Sequence, residues 1–391
     1  MEWVKLGDIF EFIRNGANIK QIDGNGIPIT RIETISNGEI NLNRVGYANI
    51  KYPEYEDYYL RDGDILMSHI NSEKHLGKTA LFTKNLTNMP LIHGMNLLCL
   101  RPKKEYIPMY LKYFFNSKIF KAQIRKISKS SVNQSSFNIS DLKKLRAPIL
   151  NYEEQLKIVK KLYSIDKISR IRKEQIQAYD DLIESLFFDI FGDIRTNEKN
   201  IIKKTMGDVL TVNQGLQIPI SKRLKNEEKN SYKYITIKYL NGNSNPEYIK
   251  DPNKSVICNE DDILVTRTGN TGQIVTNVSG VFHNNFFKLN YDRTMFNKYY
   301  LDKYLNTNYV QNIMKLKAGT STIPDLNHGD FYKIDVLIPP IEIQNKFADY
   351  VVKIEEEKKK LNASLNELEI LFDGLMQDAF SGNLFKEWEG R

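Results

Sequence analysis

Several residues in this sequence could do chemistry, and each set fails on spacing. Gly77-Lys78-Thr79 has the ending of a phosphate-binding loop, in which backbone N–H groups wrap a phosphate and a lysine reaches it. The glycine required five residues before Gly77 is replaced by Ser72, so the loop cannot close in the usual way. A flipped adenine is gripped by an Asn-Pro-Pro-Tyr-like segment. The nearest match, Ile338-Pro339-Pro340-Ile341, has no amide. No glycine-rich turn follows a strand as a methyl-donor pocket requires. Glu356 and Lys358 could supply half a nuclease site, but they lie in a charged run that reads as a solvated helix face. His69, His75, His93, His283 and His328 are scattered without metal-ligand spacing. His93 and His283 hold similar places in the two halves of the chain, and for them a structural and a ligand-facing reading both stay open. Cys99 and Cys258 each lie in an apolar, strand-like stretch and read as buried thiols rather than as a disulfide or metal pair.

With no catalytic set, the elements that would position a binding surface become the subject, and they come in two copies. Asp141-Leu142 with Gln155 lies over Asp330-Phe331 with Gln344 at an offset of 189 residues. Leu186…Asp189…Phe191 lies over Leu375…Asp378…Phe380 at the same offset, with Gly192 facing Ser381. Upstream, Leu6-Gly7-Asp8-Ile9 answers Met206-Gly207-Asp208-Val209, and Asp64-Ile65-Leu66 answers Asp262-Ile263-Leu264. The offset drifts from 200 to 189 along the copy, so the loops differ in length. Each copy begins with short apolar runs typical of strands, such as Ile27-Pro28-Ile29 and Tyr234-Ile235-Thr236-Ile237, and ends in a long helix. Asn71-Ser72-Glu73-Lys74-His75 has no counterpart in Thr268-Gly269-Asn270-Thr271. The scaffold is repeated and the loops have diverged, and loops on a rigid scaffold are where recognition sits.

The second helix, about Glu342 to Phe380, has a seam at Phe347, Val351, Ile354, Leu361, Leu365, Leu368, Phe372, Leu375 and Ala379, with Lys358 its one polar occupant. Spacings of four and three make this a coiled-coil stripe. The first helix carries the matching seam Ile158, Leu162, Ile165, Ser169, Arg172, Ile176, Tyr179, Ile183, Leu186 and Ile190. Matched seams predict that the helices pair, antiparallel, as a rod between two heads. The competing arrangement packs each helix on its own globular part.

The chain has 391 residues and a net charge of +8, with 41% hydrophobic residues. That is enough for two domains with their own cores. The stretches Glu153–Phe191 and Glu342–Phe380 carry −1 and −4, so the rest of the chain carries +13. Positive heads point to a polyanion, because lysine and arginine displace condensed counterions from phosphates. No run of apolar residues is long enough to span a membrane, and Met1-Glu2-Trp3-Val4-Lys5 does not open a secretory signal. A reducing, cytoplasmic setting is expected.

The repeat ends resemble those of a known family. Ala147-Pro148…Glu153-Glu154-Gln155…Ile158-Val159 and Ile338-Pro339-Pro340…Gln344…Phe347 resemble the proline-containing turn and Glu-Gln helix start that close each half of type I restriction-modification specificity subunits. Ala379-Phe380-Ser381-Gly382-Asn383-Leu384 is similar to their C-terminal ending. Lys129-Ser130-Ser131…Asn138-Ile139-Ser140-Asp141 and Ala318-Gly319-Thr320-Ser321…Asn327-His328-Gly329-Asp330 resemble the polar loop before that turn. The resemblance covers essentially the whole chain, twice. It departs where Pro148 stands alone and where Phe191-Gly192 replaces a Phe-Ser-Gly ending.

This resemblance implies an α+β fold: two repeated α/β target-recognition domains separated by two long antiparallel coiled-coil helices. The expected divisions are a first recognition domain at 1–152, spacer helix 153–191, linker 192–203, second recognition domain 204–341, spacer helix 342–380 and a tail 381–391. It also implies no catalysis and no cofactor in this chain. Double-stranded DNA and two methyltransferase subunits using S-adenosylmethionine are the implied partners, with a restriction subunit joining where DNA is cut. No membrane partner is implied. No contact is carried over from relatives, so base-reading candidates rest on side-chain type: Arg and Lys suit guanine, Asn and Gln suit adenine, Ser and Thr are less selective. In the first head these are Arg14, Asn15, His69, Asn71, Lys74, Lys129, Ser130, Asn133 and Gln134. In the second they are Gln214, Gln217, Arg267, Asn270, Thr271, Lys317, Thr320 and Ser321. An RNA-binding or structural adaptor on the same dumbbell is the alternative, but RNA readers display aromatic platforms, and the Tyr and Phe residues here fall mostly at core-like spacing.

Overall fold

The computed structural model describes residues 1–381 except 23, 132–133 and 320–323. Asn133, Thr320, Ser321 and the tail from 382 onward therefore lie outside the described residues. The chain divides into two compact units, and neither is a contiguous stretch. One is Met1–Lys173 with Ala363–Arg391, the other Glu174–Asn362.

In the first unit Phe10–Asn15 pairs antiparallel with Leu97–Pro102, which pairs with Ile65–Ser68, which pairs with Thr79–Leu81. In the second unit Leu210–Gln214, Phe286–Tyr291, Leu264–Thr266 and Ile274–Val275 repeat that order. An edge ribbon is also repeated: Glu2–Lys5 with Arg146–Ile149, and Ile202–Thr205 with Asp335–Ile338. Helices Pro108–Asn116 and Lys118–Ile127 pack behind the first sheet, and Lys298–Asn306 and Asn308–Ala318 behind the second. Ser117 and Thr307 cap the second helix of each pair. Tyr110 donates to the Pro148 carbonyl at 2.6 Å and Tyr300 to the Leu337 carbonyl at 2.9 Å, tying the same helix to the same ribbon twice.

The copies differ in their smaller sheets. The first unit has three strands, Gln21–Ile22, Gly46–Ala48 and Ile27–Ile29. The second has four, and its Ser231–Ile235 runs parallel to Gly280–Phe282. Both sheets meet the larger one through a close backbone approach. A Cβ on Gly16 would lie 2.2 Å from the Gly94 carbonyl oxygen, and one on Gly215 2.2 Å from that of His283, so both positions must be glycine.

The long helices run Tyr152–Phe191 and Ile341–Ser381. The first opens on a capping box: Asn151 Oδ1 accepts from the Glu154 N–H, and Glu154 Oε2 from the Asn151 N–H. It stops at Gly192, whose φ of +75° ends the helix, and the Lys199 ammonium donates to the Asp189 and Ile190 carbonyls. Gln155 and Gln344, flagged by the repeat, prove to be buried clamps. Gln344 Oε1 accepts from the Asn297 N–H, and its Nε2 donates to the Met295 and Pro339 carbonyls. Gln155 accepts from the Ile107 N–H and donates to the Leu150 carbonyl.

Every expected seam residue is buried or half-buried. In the first unit Ile158 and Leu162 share a core with Met376, Ala379 and Phe380, and Lys173 pairs with Glu369 at 2.9 Å. In the second Ile183, Phe187 and Phe191 share a core with Phe347, Val351 and Ile354, and Lys358 pairs with Asp180. Within each unit the two helical segments are thus antiparallel. Packing of each helix on its own globular part alone is excluded, because each core holds the far end of the other helix. Lys358 is not on a solvated face: its ammonium sits between Asp180 and Glu355 in the seam.

Candidate nucleic-acid interface

In the first unit the hairpin Lys129–Ser131 and Gln134–Ser136 lies against Ile70–Asn71, with Ser135 opposite Asn71. This sheet brings together Asn71, Lys129, Ser130 and Gln134. Lys129, Ser130 and Gln134 are exposed, and Ser130 Oγ lies 3.2 Å from Ser135 Oγ. The Asn71 amide is engaged locally, donating to Ser68 Oγ and accepting from the Ser72 N–H. Lys74 is exposed on the adjoining turn Glu73–His75. His69 is placed differently from a surface reader: it is 7% exposed, with its ring against Phe137. Burial lowers its pKa, so the imidazole is neutral at pH 7.

Arg14 and Asn15 belong to a second group. The Arg14 guanidinium lies over the rings of Phe12 and Tyr58, at 4.2 and 5.1 Å. Asn15 is exposed at the strand end. Beside them His93 is 1% exposed, and its Nδ1–H donates to the Tyr58 carbonyl, which resolves that residue as structural.

The second unit joins its candidates through one turn, His283-Asn284-Asn285. Gln214 Nε2 donates to the Asn284 carbonyl, and Asn284 Nδ2 faces Gln217 Oε1 at 3.4 Å. The Asn285 carbonyl accepts from the Arg267 N–H, and its side chain accepts from Thr268 Oγ1. Arg267 is held by Asp325 through two parallel bonds, Nε to Oδ1 at 2.5 Å and Nη2 to Oδ2 at 2.7 Å. That pairing raises the Arg267 pKa and leaves the Nη1 donors for an outside acceptor. Thr271 donates to the Pro324 carbonyl, and Asn270 Nδ2 to Gln273 Oε1. Lys317 is half-buried in the last turn of Asn308–Ala318. Asn284 and Asn285 were missed in the sequence reading. Their signal was the matched position of His283 and His93, followed by Asn-Asn in one copy and Gly94-Met95 in the other.

The two sites occupy one scaffold position. Phe137 N–H bonds the His69 carbonyl, and Leu326 N–H bonds the Arg267 carbonyl. Ser136 faces Ile70, as Asp325 faces Thr268. A buried imidazole in one copy thus answers a clamped guanidinium in the other.

Asp64 accepts two bonds from Arg101 and one from the Arg61 N–H, 1% exposed. Cys99 and Cys258 are free and buried, and burial pushes the Cys258 thiol up to about 11. In Gly77-Lys78-Thr79, Thr79 is a buried strand residue and the Lys78 ammonium bonds the Ser36 carbonyl. Among the described residues no helix is long and apolar enough to cross a membrane.

The type I restriction modification DNA specificity domain matches residues 1–178 and 198–369. The chain belongs to this family of type I restriction-modification specificity subunits. It is 30% identical over 379 residues to the protein of Methanocaldococcus jannaschii described as the MjaX type I restriction enzyme specificity subunit, covering 91% of this chain and 88% of that one. The fold is similar to the type I restriction-modification S subunit of M. genitalium, with a TM-score of 0.61 and 16% identity over 97% of this chain and 96% of the other. A chain solved in work on complex assembly and conformational transition of a type I system matches with a TM-score of 0.53 and 17% identity, over 98% of each chain. The specificity-subunit fold is therefore shared across the length of the chain, and the α+β double repeat is that of the family.

Proposed function

We propose that this specificity subunit reads a bipartite, asymmetric DNA target and directs adenine-N6 methylation to it without performing the chemistry. The observation that carries the reading is the pair of unlike side chains at one scaffold position: buried His69, beside Asn71 and the Lys129–Ser131 hairpin, in one unit, and Arg267, held by Asp325, in the other. Unlike donors accept unlike bases, so the half-sites differ. Two methyltransferase subunits supply S-adenosylmethionine and the transfer step, and a restriction subunit adds cleavage where one is present. Mapping methylated adenine across the genome, with this gene intact and deleted, tests the proposal. Loss of one split motif with unequal halves is expected. Retention of every motif while the partner methyltransferase is expressed would refute it.

Arg267→Ala gives a sharper test of the second head. A guanidinium held on one edge can give its other edge to guanine, and losing such a contact costs about 1–3 kcal/mol of discrimination. One position of one half-site should relax while the other half-site keeps its sequence. An unchanged motif removes Arg267 from the reading set.

A further inference from the structure

A cleft of about 310 Å³ opens in the first unit between the turn at Glu73–Lys78 and the helix Lys118–Ile127. Lys74, Lys121 and Arg125 are exposed around it, with Glu73 the single acid on its lining. None of the three cations has an ion pair among the described residues, whereas Lys118 on the same helix pairs with Asp373. Lys121 and Arg125 stand four residues apart, about 6 Å along the helix axis. Ser128 lines the cleft, and the next residue, Lys129, begins the hairpin of the candidate reading sheet.

The second unit has the same scaffold with fewer cations, and exposed Lys315 stands in the place of Arg125. Gly77 packs on Ile124 as Gly272 packs on Met314, each in a positive-φ conformation. The residue in the place of Lys121 is Gln311, and its Nε2 donates to the Gly272 and Leu305 carbonyls. An amide thus bridges helix and turn where the first unit presents a free ammonium.

We propose that the cleft between Lys74, Lys121 and Arg125 is a DNA backbone phosphate site that anchors the first head beside its half-site. The inference rests on the DNA-reading function proposed above. Unpaired cations around a concavity gain by displacing counterions from a polyanion, and a site continuous with the reading hairpin fixes register without reading sequence. Lys315 keeps the charge of Arg125 but Gln311 does not keep that of Lys121, so backbone anchoring at this position is stronger in the first head.

The test uses the full chain assembled with its methyltransferase subunits and two duplexes, one carrying the mapped motif and one scrambled. The Lys121→Gln, Arg125→Gln double variant should bind both duplexes on the order of tenfold more weakly at physiological salt, by the same factor. The slope of log affinity against log salt should fall by about 1–2. Genomic methylation should keep its motif. The Lys121→Arg, Arg125→Lys variant should restore the slope, which separates charge from fold damage. An unchanged slope and affinity would overturn the proposal. So would a loss confined to the motif duplex, since that marks base reading. If the unsubstituted assembly binds neither duplex, the DNA-reading function itself fails.

Discussion

Phe380→Ala should destabilise the first unit by about 3–5 kcal/mol, the cost of emptying a fully enclosed aromatic site. Phe380 is wholly buried, with its ring 5.3 Å from Tyr110 and 5.6 Å from Phe114. Those residues lie in the helix behind the first sheet, so the substitution loosens the end of the second long helix from a core built mainly of N-terminal residues. Its repeat partner Phe191 lies 4.7 Å from Tyr300 and 5.5 Å from Phe347, and Phe191→Ala should cost the second unit a similar amount. Ile370→Ala is the control. Ile370 is 65% exposed on the same helix, and its loss should stay within about 0.5 kcal/mol. Denaturant unfolding reads the energies, and hydrogen exchange reads where protection is lost. A cost below about 1 kcal/mol for both phenylalanines would mean that the helix ends do not belong to the cores.

Gln344→Leu should cost about 3–5 kcal/mol and lower the melting temperature by roughly 10 °C. The side chain satisfies three backbone groups at once: the Asn297 N–H and the Met295 and Pro339 carbonyls. Leucine fits the volume but leaves those groups buried and unpaired, each costing about 1–3 kcal/mol. Gln155 satisfies only the Ile107 N–H and the Leu150 carbonyl, so Gln155→Leu should cost less. Gln344→Glu should not rescue, because a carboxylate cannot donate to the two carbonyls. Equal costs for the two leucine variants, or full rescue by glutamate, would contradict the clamp.

The seam was legible because a coiled-coil stripe repeats every seven residues along one helix, whatever the helix meets. It was incomplete at the ends. Phe187 and Met376, one residue beyond the seam positions Leu186 and Leu375, are the more buried of each pair. There a helix faces a head as well as the other helix, and burying two sides needs two adjacent stripes. Gln155 and Gln344 were visible as a recurring pair, but their work was not, since their partners are backbone groups that sequence spacing does not locate.

The candidate site was legible only as a choice of loops. Arg267 and His69 carry the same backbone bond, yet one side chain is held half-exposed by Asp325 and the other is buried against Phe137. Nothing local distinguishes those outcomes, because Asp325 and Phe137 come from distant chain. By itself the sequence determined the double repeat, the paired long helices and the family, all of which rest on periodicity and on motifs within one stretch of chain. The tertiary structure decided which side chains reach the surface, which cations find counter-ions and which amide closes the second cleft. Those depend on contacts between segments far apart in the chain, whose geometry is set only when the sheets pair and the cores close.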